Sequence, residues 1–323
     1  KDAACAILVA TPSAILRNTE PAYLGDIHTC IIDEADMLLD GGFVTDVTRI
    51  LDFLCPRISN TQARRLAKEG KTMEEGKAQL DRQPAQVIFA AATLPDWKGD
   101  KVKSVVRVLQ KRFPDAQHIS TTQLHKQSRA ASHDWMDLGP LSTKEDAQTA
   151  LLDLLRGPRR GQRTMVFCNT VKEAKETHEY VIQEGYDRAL LLHKEVPPAE
   201  RAAALAKLST LPSLDNEAIE NGEWILVCTD IAARGIDIPS VLHVIQLQFA
   251  ANAVTHLHRV GRTARAGSSG GHVTNLIDDM SRPVALAIKG EAGDDAPIAP
   301  VFSRNRGFRR RFKRYGTGMA VLE

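Results

Sequence analysis

Apolar positions along the chain gather in short unbroken runs. ACAILVA around Cys5, TCIID around Ile31, AQVIFAA around Ile88, RTMVFC around Val166, RALLLH around Leu191, WILVC around Val227 and VLHVIQL around Val244 are rich in Val, Ile and Leu. Runs of this length without polar alternation predict strands covered on both faces. Between them apolar residues recur at helical spacing, as in Lys101–Phe113 and Val171–Gln183. The first of these is basic and amphipathic and predicts a helix lying over a sheet. Alternating strands and helices imply parallel sheets with right-handed crossovers, so the expected fold class is α/β.

The series breaks once. TTQLHKQSRAASHD, from Thr121, is polar and is followed by Gly139-Pro140, after which a fresh strand-helix series begins. This predicts a first domain over residues 1–120, a linker over 121–131, a second domain over 132–290 and a tail over 291–323. A chain of 323 residues can support two such cores. Two polar segments, 57–84 and 210–223, read as surface insertions. No internal repeat is visible.

Composition narrows the function classes. A hydrophobic fraction of 43% and a charged fraction of 25% exclude a chain disordered throughout. No apolar run approaches the ~20 residues that span a bilayer, so no membrane partner is expected. The five cysteines, Cys5, Cys30, Cys55, Cys168 and Cys228, form no CxxC pair, and several sit in apolar runs. They read as reduced, packed thiols without a disulfide-linked partner, which suits a reducing compartment such as a mitochondrion, nucleus or nucleolus. His256 and His258 form an HxH, but no acid or cysteine at useful spacing completes a zinc site. Trp97, Trp135 and Trp224 are scattered and read as packing residues.

Three windows carry chemistry. CIIDEADMLLDGGF (Cys30–Phe43) ends a buried strand on Asp33-Glu34-Ala35-Asp36. Acids at the carboxyl end of a strand in an α/β sheet suit a metal and phosphate site. ILVCTDIAARGIDIP (Ile225–Pro239) places Thr229, Asp230, Arg234, Gly235 and Asp237 just past another strand. THLHRVGRTARAG (Thr255–Gly267) holds His258, Arg259, Arg262 and Arg265. On a helix His258, Arg262 and Arg265 would share one face, which calls for an anionic ligand such as a triphosphate.

In these windows the chain resembles the DEAD-box RNA helicases, ATP-dependent enzymes built from two RecA-like domains. DEAD (Asp33–Asp36), AAT (Ala91–Thr93), VFCNT (Val166–Thr170), LLHKEVPPAER (Leu191–Arg201), TDIAARGID and HRVGRTAR (His258–Arg265) follow the family's motif order, and ATPSAIL (Ala10–Leu16) aligns with its TPGR motif. The resemblance implies two tandem RecA-like domains, with ATP and Mg²⁺ as cofactors. Asp33 would hold Mg²⁺ through water, and Glu34 would orient or deprotonate the attacking water. Arg262 and Arg265 would be arginine fingers across an interdomain cleft, with His258 in the catalytic set. Asp237 would bind the ATP ribose, and Gly235 belongs with the nucleotide and RNA contacts. Thr11, Pro12, Thr170, Arg201 and Thr229 would touch the RNA backbone, reading charge and shape in place of sequence.

Departures accompany the match. No GxxxxGK[ST] phosphate loop occurs, and the family places that loop upstream of TPGR, so the chain is expected to be the later part of a longer protein. The alternatives are a first half supplied by another chain and a shortened pseudoenzyme; the longer protein is favoured because a domain starting at Lys1 would lack several strands and leave a large apolar face exposed. TPGR has become Thr11-Pro12-Ser13-Ala14, SAT has become Ala91-Ala92-Thr93, and Lys194 and Pro198 stand in place of a glycine and a glutamine. The tail SRNRGFRRRFKRYGTG interleaves Arg304, Arg306, Arg309, Arg310, Arg311, Lys313 and Arg314 with Phe308, Phe312 and Tyr315. Cations against phosphates and rings against bases predict an RNA anchor. The expected function is ATP-dependent remodelling of RNA or ribonucleoprotein, with ribosome assembly as one setting. The rival is a catalytically weak RNA-binding scaffold.

Overall fold

The computed structural model of the chain describes residues 7–19, 23–40, 43–56, 68, 84–91, 105–119, 131–209, 225–230, 241–264 and 270–292. Contacts divide the chain into two compact units, Lys1–Ser120 and Thr121–Glu323. The insertion 210–223 and the tail from 293 onward lie outside the described residues, as does nearly all of 57–84.

In the first unit, α1 (Pro12–Asn18), β1 (Thr29–Ile32), α2 (Ala35–Asp40), α3 (Val44–Leu54), β2 (Gln86–Phe89) and α4 (Val105–Arg112) follow one another. β1 and β2 pair in parallel, with Cys30 opposite Val87 and Ile31 opposite Ile88. Because side chains alternate across a strand, one face of the pair carries Cys30, Ile32, Val87 and Phe89. That face packs on Ala35, Leu39, Val47 and Leu51. α3 buries Val47, Ile50, Leu51 and Leu54, the i, i+3, i+4, i+7 stripe of a helix lying on a core. The other face leaves Ile31 66% and Ile88 43% exposed.

The predicted strand ACAILVA is not found among its described residues. Ile7, Leu8 and Val9 are exposed and in no strand. A strand exists only with a neighbour to bond to, and the described sheet of this unit is β1 and β2 alone.

The second unit is a six-stranded parallel sheet. Its elements are β3 (Ala131–Asp137), α5 (Lys144–Arg156), β4 (Thr164–Phe167), α6 (Val171–Gln183), β5 (Leu190–Leu192), α7 (Pro198–Ser209), β6 (Ile225–Cys228), β7 (His243–Gln246), α8 (Ala253–Val260), β8 (Gly271–Ile277) and α9 (Arg282–Ala292). The strand order is β3-β8-β7-β4-β6-β5, every pairing parallel. β4, β6 and β7 are buried at every position, as unbroken apolar runs require. Met165, Phe167, Leu226 and Val244 face one core, while Val166, Val227 and Ile245 face another shared with Leu151, Leu155 and Val181 of α5 and α6. A capping box between Thr143 and Asp146 starts α5.

Two strands were not anticipated. β3 lies within the polar seam read as a domain break, and β8 carries His272, Thr274 and Asn275, all buried. Both are held by side-chain hydrogen bonds. His272 Nε2 meets Asp134 Oδ2 at 2.7 Å, His243 Nε2 meets Thr274 Oγ1 at 2.8 Å, and Asn275 Nδ2 donates to Asp134 O at 3.1 Å.

Candidate functional site

β1 ends at Ile32 and delivers Asp33 and Glu34 into the turn before α2. Two backbone bonds, Ala90 N to Ile32 O at 2.9 Å and Ala35 N to Ala90 O at 2.9 Å, fix this turn to the end of β2. Glu34 sits at φ 49°, a left-handed conformation costly for a residue with a Cβ, at about 1–3 kcal/mol. Its carbonyl is held by the amides of Met37 and Leu38 at 3.0 and 3.1 Å. Asp33 is exposed and its Oδ1 accepts from the Glu34 amide at 2.9 Å. Asp36 is buried, and its Oδ1 accepts from the Met37 amide at 2.9 Å, so it is a structural acid at the start of α2. The turn therefore holds an exposed Asp33, a half-buried Glu34 and a buried Asp36.

Thr11 is the N-cap of α1, its Oγ1 accepting from the Ala14 amide at 3.3 Å, with Pro12 as the first helical residue. Ser13, at the glycine position of the resembled TPGR motif, donates its hydroxyl to Asp46 Oδ2 of α3 at 2.6 Å. Of AAT, Ala91 is described; Ala92 and Thr93 lie outside the described residues.

The second unit gathers its candidates at the carboxyl ends of its strands, where α/β sheets place ligands. Thr170 follows β4 and is the exposed N-cap of α6. Its hydroxyl accepts from the Glu173 amide at 3.2 Å and donates to the Glu173 carboxylate at 2.7 Å. Thr229 follows β6, its amide bonded to Leu192 O at 3.2 Å. Arg201 lies in the first turns of α7, and its Nε is buried with no hydrogen-bond acceptor among the described residues.

The motif that ends in Arg265 differs from its expected form. α8 stops at Val260, and the Gly261 amide closes it on Leu257 O at 2.8 Å. Arg262 lies past the helix end, half-buried, with its Nε 3.4 Å from His258 O. The single helix face expected to carry His258, Arg262 and Arg265 is therefore not formed; Arg262 is presented by a turn. His258 is buried within α8. Thr263 locks the turn, its hydroxyl donating to Val241 O at 2.5 Å, while the Val241 amide donates to Arg262 O at 3.1 Å. Gly271 lies against it: a Cβ there would stand 2.8 Å from Ala264 N and 2.9 Å from Ala264 Cβ. Gly235, Asp237, Arg265, Arg309, Arg310 and Arg311 lie outside the described residues.

Sequence reasoning also passed over Arg259. Its side chain is fully buried, bonded to Asp230, Gln248 O and Asn169, with Phe167 beneath its guanidinium. A signal was present: Arg259 lies in AVTHLHRV, a helix apolar or small at five of its eight positions, an unusual place for a solvated cation.

Thiol chemistry is not part of either site. Burial pushes the Cys168 thiol up to about 12 and holds Cys228 well above its ordinary value. Among the described residues no group of three or more His, Cys, Asp or Glu side chains could hold a metal ion, and no helix is long and apolar enough to cross a membrane.

Two family models match the chain in the order the motifs suggest. The DEAD/DEAH box helicase family covers residues 1–101, and the helicase conserved C-terminal domain covers residues 146–267. DEAD-box ATP-dependent RNA helicase 22 of Oryza sativa subsp. japonica is 31% identical over 95% of this chain and 61% of its own length. The helicase of the same name from Arabidopsis thaliana is 32% identical over the same shares. The chain thus spans about three-fifths of the length of these relatives. Among solved structures, Mss116p bound to ssRNA and AMP-PNP matches with a TM-score of 0.62 at 17% identity, over 88% of this chain and 51% of that one. S. cerevisiae Dbp5 bound to RNA and ADP BeF3 matches at 0.60 and 23%, over 88% and 62%. These two likenesses carry the fold: tandem RecA-like domains. Both family models are matched in order and helicase relatives align along nearly the whole chain, so the chain carries a DEAD/DEAH box helicase region followed by a helicase conserved C-terminal domain.

Proposed function

We propose that this chain is the nucleotide-hydrolysing and RNA-gripping part of an ATP-dependent RNA helicase that separates or remodels short RNA structures. The observation that carries the proposal is the turn after β1. Asp33 is exposed and Glu34 half-buried at a strand's carboxyl end, Glu34 in a left-handed conformation, in a chain matched by both helicase family models.

The donor set suits Mg²⁺. Asp33 offers a hard, exposed carboxylate with one oxygen already oriented by the Glu34 amide. Mg²⁺ would supply charge neutralisation to the nucleotide phosphates. Glu34 would take up the proton of the attacking water, a role open to a carboxylate next to the metal-holding Asp33. Arg262, past the end of α8, would set a planar guanidinium against phosphate charge, with Arg265 and Asp237 as further nucleotide contacts. Thr11 and Pro12 in one unit, and Thr170, Arg201 and Thr229 in the other, would hold the RNA backbone. The unpartnered Nε of Arg201 supports that role, since a buried guanidinium N–H seeks an anionic acceptor. The tail arginines Arg309, Arg310 and Arg311 would anchor RNA without selecting a sequence.

One observation favours the scaffold reading. Ser13 is tied to Asp46 and Ala14 has no charge, so the α1 end grips RNA less than the family pattern would. The two readings part on turnover. In the whole protein, Glu34→Gln should abolish RNA-stimulated phosphate release while ATP binding persists. Equal phosphate release by wild type and variant would remove Glu34 from catalysis, and no release by wild type would favour the scaffold.

A further inference from the structure

The loop that joins α5 to β4 is strongly basic. RGPRRGQR (Arg156–Arg163) holds four arginines and no acid in eight residues, against 42 lysines and arginines in the 323 residues of the chain. Its backbone is fixed. The Arg160 amide donates to Gly157 O at 3.0 Å and the Gln162 amide to Arg159 O at 3.2 Å, two successive turns, the second with Gly161 at φ 79°. Arg163 O accepts from the amides of Leu242 and His243, both at 3.1 Å, which pins the loop to the start of β7. The arginines are therefore carried on a rigid base.

Beside the loop a polar row crosses the amino ends of four strands. The register sets Ser132 of β3 next to His272 of β8, His272 next to His243 of β7, and His243 next to Thr164 of β4. Registered neighbours share a face of the sheet. Here it is the face covered by α5, because Val166, Ile245 and Leu276 of the same strands pack with Leu151 and Leu155. Arg159 Nη2 reaches this row, donating to His272 Nδ1 at 3.0 Å and standing 3.8 Å from Asp134 Oδ2. A guanidinium can only donate, so neutral His272 accepts at Nδ1 and carries its proton on Nε2, toward Asp134 Oδ2 at 2.7 Å. Ser132 Oγ lies 2.6 Å from the same Nδ1. Two acids flank the loop: Asp134, engaged in this way by His272, and Glu184, which meets Arg156 Nη2 at 2.9 Å. Arg159 and Arg163 are half-buried, and Arg160 is exposed.

These groups are distinct from the candidate contacts of the same unit. Thr170 and Thr229 follow the opposite, carboxyl ends of β4 and β6, and α8, which leads to Arg262, packs on the other face of the sheet through Val260. We propose that the Arg156–Arg163 loop is a second binding site for RNA phosphates, holding the strand beyond the segment gripped at the carboxyl ends. Planar guanidinium forks match phosphate oxygens, and a loop whose cations are all arginine offers several such forks. Arg163 and Thr170 are seven residues apart, at most ~25 Å of extended chain. At ~3.4 Å per nucleotide along one strand of a duplex, that reach equals about seven nucleotides. Contacts of this kind position RNA without reading its bases. RNA as the ligand rests on the proposed function.

The test compares the whole protein with the double variant Arg159→Gln/Arg160→Gln and with Arg160→Gln alone, a change at an exposed position. Affinity for oligouridylates of about 8 and about 24 nucleotides is measured across a salt series. In the double variant, affinity for the long RNA should fall about tenfold and its salt slope should shrink by about 1.4, two single-strand phosphates at about 0.7 each. The single variant should show about half that change of slope, and affinity for the short RNA should stay within about twofold in both. Equal losses for the two lengths, or an unchanged slope for the long one, overturn the site. So does loss of binding to a polyglutamate peptide with long-RNA binding intact, which would make the loop a dock for an acidic protein. If wild type binds neither oligouridylate, the functional proposal fails, and RNA falls with it as the ligand of this loop.

Discussion

At the scale of single residues, the acids and arginines of the motifs have unequal structural standing. Asp33 is exposed and Glu34 half-buried in a strained turn, whereas Asp36 of the same tetrad is buried in the first turn of α2. Arg262 is half-buried beyond a helix end, whereas Arg259 of the same motif is buried in full. A motif written as a string therefore mixes groups open to solvent with groups that meet the protein. The expected kinetic consequence concerns Arg262. Arg262→Ala should slow RNA-stimulated ATP hydrolysis by about 10³-fold or more, the scale of a lost arginine in phosphoryl transfer. Steady-state phosphate release checks it, and wild-type turnover in the variant would contradict its role. Asp36→Asn should act on stability more than on turnover, because the Asp36 side chain is buried within the protein.

At the scale of elements, the apolar runs were legible and the polar strands were not. α6 occupies Val171–Gln183, the residues whose spacing predicts it, because its buried Ala174, Thr177 and Val181 recur at helical intervals. β4, β6 and β7 likewise read directly as Val/Ile/Leu runs. β8 escaped because His272, Thr274 and Asn275 look like surface residues until their partners on β3 and β7 are known. β3 escaped as an edge strand, exposed at Ser132, Asp134, Met136 and Asp137, three of them polar. Hydrophobic pattern reports burial by apolar contact and is blind to burial by hydrogen bonding. The end of α8 escaped because the run of His258, Arg259, Arg262 and Arg265 continues past the glycine that stops the helix.

The turn after α8 also yields a prediction at this scale. Gly271→Ala must push against Ala264 backbone, which cannot give way as a flexible side chain would. Overpacking of this kind costs about 1–3 kcal/mol. A lowered urea midpoint together with weaker RNA-stimulated hydrolysis is expected, since the same turn presents Arg262. Gly270 sits at φ 85° and should resist substitution for a different reason, backbone conformation in open space.

At the scale of the whole molecule, the second unit carries an unusual load of neutral histidine. Burial lowers His133 to about 4 and His243 to about 3, and holds His256 well below its ordinary value. His256 must stay neutral at Nδ1 to accept from Gln246 beside the Arg259 charge. A group whose pKa is lower in the folded state binds its proton preferentially when unfolded, so these imidazoles stabilise fully above pH ~6.5 and progressively less as pH falls toward 4. Each contributes a slope of about 1.4 kcal/mol per pH unit in that window. Thermal unfolding of the protein between pH 7.5 and 5 should show a falling midpoint; a flat profile would mean that these rings are solvated. The exposed carboxylates Asp137 and Asp279, held low by hydrogen bonds with Arg282 and the amides of Gly139 and Leu141, act only at lower pH. Deleting Arg304–Arg314 should weaken RNA binding and flatten its dependence on salt, because each phosphate contact adds to that slope. An unchanged slope would place the tail away from RNA.

The bare side of the β1–β2 pair has a practical outcome for anyone handling this protein. Ile31 and Ile88 stand side by side on it, and Ile7 and Val9 are more open still. Residues 1–120 prepared in isolation should therefore brighten a hydrophobic dye and sediment as clusters whose size grows with concentration. Replacing Ile31 and Ile88 with threonine, which keeps the branched shape a strand favours, should restore a single sedimenting species.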